Sequence, residues 1–82
     1  MNKTDAKKYR VIVKVSPVKV PETGKDHCCK YTVTDLLTFT AFLDRKWPEW
    51  CWFNVYEYTS AGNGEQLGCF TKNRRPTQKY MD

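Results

Sequence analysis

The stretch from Trp50 to Tyr58 packs five aromatic residues and Val55 into nine positions. It constrains the fold more than any other segment. That density of aromatic and β-branched side chains marks a strand. Alternation along a strand sends Cys51, Phe53 and Val55 to one side and Trp50, Trp52, Tyr56 and Tyr58 to the other. A sheet containing it is therefore apolar on both faces at this point. Covering both faces would take two helical layers, and the remaining sequence supplies one.

That helix lies after Val33. Leu36, Phe39, Leu43 and Trp47 follow one another at steps of three, four and four, a single stripe with Phe42 on its flank and Asp44, Arg45 and Lys46 toward water. Thr32 fits a capping box with Asp35, and Thr34 with Asp35 in the first turn is an equally good start. Pro48 ends the helix.

Ahead of it, Tyr9 to Val15 alternates with Tyr9, Val11, Val13 and Val15 on one face and Arg10, Ile12 and Lys14 on the other, the period of a half-buried strand. Pro17, Pro21 and the turn-rich Glu22 to Asp26 make the segment between Ser16 and His27 a long loop or a weak edge extension. A short strand follows from Cys28 to Val33. After Tyr58, Thr59 to Gly64 reads as a turn and Glu65 to Thr71 as the return strand of a hairpin. A two-residue Asn63-Gly64 turn would put Leu67 and Cys69 on the side of Trp52, and a five-residue loop would put them beside Phe53.

The order is strand, strand, helix, strand, strand. It predicts an α+β fold: a two-layer domain with a mainly antiparallel four-stranded sheet and one helix on one face. The smaller set, Cys51, Phe53 and Val55, is assigned to the core. At 82 residues the chain is one domain (1–82), with 1–8 and 73–82 as mobile basic ends. No apolar run nears the roughly 18 residues that cross a bilayer, so no membrane partner is expected. Met1 to Lys8 is polar and basic, unlike a signal sequence, which points to a cytoplasmic protein with reduced cysteines.

Charge is uneven. Residues 1 to 30 hold eight Lys and Arg against three acids, residues 31 to 70 two against five, and residues 71 to 82 four against one. If the sheet gathers the two basic ends, Lys7, Lys8, Arg10, Lys14, Lys72, Arg74 and Arg75 form one positive patch suited to phosphates. Trp52, Tyr56 and Tyr58, at even spacings, would form a stacking surface for unpaired bases. Exposed Trp, Tyr and Arg serve equally to anchor protein contacts.

Enzyme chemistry finds little support. His27 is the single histidine, and neither a phosphate-cradling glycine motif nor a paired set of carboxylates on one element is present. His27, Cys28, Cys29, Cys51 and Cys69 include the ligand types of a zinc site. However, they lack a Cys-x-x-Cys knuckle, and adjacent Cys28 and Cys29 face opposite ways on a strand. No metal or other cofactor is expected, and a structural zinc module is the least favoured reading. Trp50 to Tyr56 also lacks the glycines of the RNA-recognition aromatic motif.

The sequence thus points to a non-enzymatic binding protein. It would engage nucleic acid or a nucleoprotein complex through Lys8, Arg10, Lys14, Trp52, Tyr56, Tyr58, Lys72, Arg74 and Arg75. The alternative is an inhibitor or adaptor acting by protein-protein contact, of the kind phages and mobile elements direct against host defence complexes.

Overall fold

The computed structural model describes residues 8–81; Lys7 and the rest of the basic N-terminal end, and Asp82, lie outside the described residues. Strands β1 (Tyr9–Lys14) and β2 (Cys28–Val33), helix α1 (Leu36–Lys46) and strands β3 (Trp52–Thr59) and β4 (Gly62–Thr71) follow in that order. The four strands form one antiparallel sheet ordered β2-β1-β3-β4. The expected α+β fold is the observed one.

The sheet is built around β1, whose Val11 and Val13 are almost fully buried together with Val15 just beyond it. Val11 stands opposite Tyr31 on β2 and Val55 on β3; Val13 stands opposite Cys29 and Phe53. These positions share the face onto which α1 packs through Leu36, Phe39 and Leu43. Phe39 bridges the two sides of β1, with its ring centre 5.4 Å from Tyr31 and 5.3 Å from Phe53. Of the set assigned to the core, Phe53 and Val55 are there, whereas Cys51, which precedes β3, is half-buried and lies outside the core cluster.

The helix starts three residues later than the Thr32 reading of its cap and one later than the Thr34 reading. Asp35, in extended backbone, accepts from the Thr38 N–H at 3.0 Å. This bond holds the Asp35 carboxyl below its ordinary range. Thr32 instead belongs to β2, where its hydroxyl accepts a bond from Arg10. At the other end Trp47 caps the helix, and its indole donates to the Tyr31 hydroxyl at 2.9 Å.

The hairpin corrects both proposed turns. It closes about Ser60 and Ala61, with Thr59 opposite Gly62, so Gly62 to Gly64 belong to β4. Gly62 has a φ of 119°, open to glycine at little cost. Two register shifts follow, between Val55 and Tyr56 and between Tyr56 and Tyr58. A shift of one residue turns a strand over, and a second restores it. Cys69 therefore lies opposite Asn54 on the side of Trp52, while Phe70 meets Phe53 in the core.

The other departure is the C-terminal segment, which the sequence presents as a mobile basic end. Thr71 and Arg74 exchange backbone bonds across a tight turn, Pro76 is buried, and the Lys79 carbonyl accepts from the Leu36 N–H at 2.9 Å. The Met81 N–H then reaches the Tyr9 hydroxyl at 3.0 Å. Residues 75–79 therefore run from Asp44 near the end of α1 back to its first residue. The Met81 methyl lies so close to Gly68 that a Cβ there would meet it at 2.6 Å. One helix is about 10 Å wide and four strands span more than that, so this segment covers what α1 leaves open over β4.

Candidate binding face

The opposite face of the sheet carries no described helix, and its side chains fall into four cross-strand rows. The first is Cys28, Lys14, Trp52 and Thr71; the second is Lys30, Ile12, Asn54 and Cys69; the third is Thr32, Arg10, Tyr56 and Gln66. In the fourth, Tyr58 stands opposite Asn63, and the Lys8 ammonium lies 5.7 Å from the Tyr58 ring centre. Four cations stand in these rows and no carboxylate. Asp26, 3.7 Å from the Lys14 ammonium, is at their rim.

The rings are accessible. Tyr58 is 41 % exposed, and Trp52 and Tyr56 are half-buried by their row neighbours. Arg10 lays its guanidinium over Tyr58 at 4.6 Å and donates through Nη1 to Thr32 Oγ1 at 3.3 Å. Its Nε is buried and has no hydrogen-bond partner among the described residues.

The sequence-derived residues are thus divided. Lys8, Arg10, Lys14, Trp52, Tyr56 and Tyr58 come together on the open face. Lys72 and Arg75 gather instead around Trp50, with the Lys72 ammonium 5.3 Å and the Arg75 guanidinium 5.8 Å from its ring centre. Arg75 is held by Asp44, and Lys72 donates to the Pro48 carbonyl. Arg74 is exposed, its backbone tied to Thr71.

Trp50, read as the first ring of the open face, is only 1 % exposed and sits in the core against Phe53. It precedes β3, so the alternation that begins at Trp52 does not extend to it, and its indole donates to Asp44 at 3.2 Å. Lys30 is the face residue that sequence reasoning missed. The regular spacing of β2 already paired Cys28 and Lys30 on one side, but without the strand order nothing tied that side to Trp52.

The remaining chemistry-bearing groups diverge. His27 meets Trp47 edge-on at 5.6 Å, Cys51 donates weakly to the Glu49 carbonyl, and Cys29 turns toward the helix. Cys28 and Cys69 are exposed on the open face. All four cysteines are free thiols. Partial burial, with Asp26 nearby, pushes the Cys28 thiol up. Among the described residues no three His, Cys, Asp or Glu side chains gather as a metal site would require. No described helix is long and apolar enough to cross a membrane.

The face can therefore offer stacking and positive charge to a ligand without moving the core. No family model, curated protein or solved structure matches this chain.

Proposed function

We propose that the open sheet face binds single-stranded nucleic acid without catalysing a reaction on it. One observation carries this reading: a cation of β1, or Lys8 just ahead of it, stands opposite or over each ring of β3, in rows free of carboxylate. Lys14 faces Trp52, Arg10 faces Tyr56 and Lys8 reaches Tyr58.

Stacking on a ring is worth about 1 to 3 kcal/mol per base and requires the base to be out of a duplex. Cations beside the rings meet the phosphates that follow each base. A protein partner is also met by aromatic and Arg anchors, but most protein interfaces deplete Lys from their centre, whereas three lysines stand in these rows.

The test is titration of fluorescent oligonucleotides, single-stranded and duplex, into the full chain. Tighter binding of single strands is expected, with Cys28 and Cys69 shielded from alkylation by bound oligonucleotide while Cys29 and Cys51 are unchanged. Equal or absent binding of both forms overturns the reading. A protein captured from host extract that survives nuclease and needs Trp52 would support the adaptor role instead.

A further inference from the structure

The four rows differ in one respect that bears on which bases the face accepts. Side chains on one face of a strand recur about every 6.8 Å, twice the roughly 3.4 Å that one nucleotide adds along a duplex strand. A stacked strand would pass two nucleotides per row. Only a strand drawn out until its bases unstack sets one base on each row.

Its bases then lie over β3 and its phosphates over β1, one strand spacing to the side. The second row breaks this pattern. Ile12 stands where the other rows have a cation, and Asn54 stands where they have a ring. Between Trp52 on one side and Tyr56 on the other, a base held there meets a planar amide with one donor and one acceptor edge. That edge complements the N6 donor and N7 acceptor of adenine, the pairing an Asn amide makes in a duplex groove; in an unpaired strand both are free, as are the N4 donor and N3 acceptor of cytosine, which is the competitor the test must separate.

Resting on the single-strand reading, we propose that Trp52, Asn54, Tyr56 and Tyr58 form a four-nucleotide track. In this track Asn54 selects adenine at its own row, while the three rings accept any base. The half-buried Asn54 is held between Ile12 and Cys69 in the two flanking strands, so its amide is confined to the open side.

The experiment uses eight-nucleotide thymine strands, as DNA and as RNA, with one central adenine, cytosine or guanine or none. Each is titrated into the full wild-type chain and into Asn54→Ala and Asn54→Ser at one salt concentration. The wild type is expected to favour the central adenine by at least about fivefold. Both variants are expected to lose that preference, binding the adenine-containing and all-thymine strands with affinities within about twofold of each other.

A preference confined to DNA or to RNA supports the track and identifies its occupant. Equal affinity of the wild type for all four strands, or a preference for cytosine or guanine over adenine, overturns the adenine selectivity and leaves the single-strand reading standing. Failure to bind any strand overturns both. Should one variant fold poorly, as judged by circular dichroism, the other and the wild-type preference still decide. A preference that survives in a folded variant removes Asn54 from the role.

Discussion

Arg75 grips Asp44 with both ends of its guanidinium, Nη1 to Oδ2 and Nη2 to Oδ1 each at 2.9 Å, across 31 residues of sequence. Trp50 adds a third donor at 3.2 Å. This arrangement commits one of the strongest candidate phosphate ligands to holding the C-terminal segment against α1. It also leaves the cationic surface over the rings to Lys8 and residues of β1 and β2.

Because the pair is about two-fifths exposed, it stabilises the fold by no more than about 1 kcal/mol. Arg75→Ala should lower Tm by at most about 8 °C in a thermal melt followed by Trp fluorescence. It should leave oligonucleotide affinity almost unchanged. A loss of binding equal to that of Arg10→Ala would place Arg75 on the nucleic acid after all.

The same pair makes stability depend on acid. Bonds from Arg75, then from Trp50, hold the Asp44 carboxyl down to about 2 from 3.8. A depressed native value means that the stabilisation is present above the ordinary carboxylate range and is lost as pH falls from about 4 toward about 2. The urea midpoint should drop between pH 6 and pH 2.5, and Asp44→Asn should shrink that drop. Asp35, lowered by its bond from the Thr38 amide, leaves part of it in place.

Trp50 and Trp52 should respond in opposite ways to the same substitution. Trp50→Ala empties a site that is 1 % exposed and should cost about 3 to 5 kcal/mol, enough to unfold much of a domain this small. Trp52→Ala should keep the urea midpoint within about 1 kcal/mol of wild type and weaken single-strand binding by about 1 to 3 kcal/mol. Denaturation and titration of both variants check the contrast.

Binding should weaken with salt in proportion to the cations that stand beside the rings of β3. For single strands the slope of log affinity against log salt is about −0.7 per neutralised phosphate, so Lys8, Arg10 and Lys14 together imply about −2. Lys14→Ala should bring it to about −1.4. A slope near zero in the wild type would remove phosphate contact from the mechanism.

Tyr9→Phe tests the anchoring of the C-terminal segment. The hydroxyl accepts the Met81 amide from 72 residues away, and its loss should cost about 1 kcal/mol. Faster hydrogen exchange is expected at Met81 and Leu36 than in the β1 amides. Unchanged exchange at Met81 would show that packing alone holds the segment.

The sequence by itself determined the elements and the sidedness of β1 and β3, because both follow from local periodicity. Tyr9, Val11 and Val13 alternate with Arg10, Ile12 and Lys14, and Phe53 and Val55 alternate with Trp52 and Tyr56 whatever lies nearby. Leu36, Phe39 and Leu43 likewise declare one helical stripe. Relations between distant segments lay beyond that reach. Only the tertiary structure decided that Lys14 faces Trp52 and that Lys30 joins their face. It also decided that Trp50 is buried over Asp44, and that residues 75–79 lie along α1. Each depends on pairings and contacts between separate elements, such as Arg75 with Asp44 and Met81 with Tyr9, whose energies exist only once the sheet has formed. The hairpin register is the intermediate case: its glycines are local signals, but two bulges, set by packing against β3, decide where the turn falls.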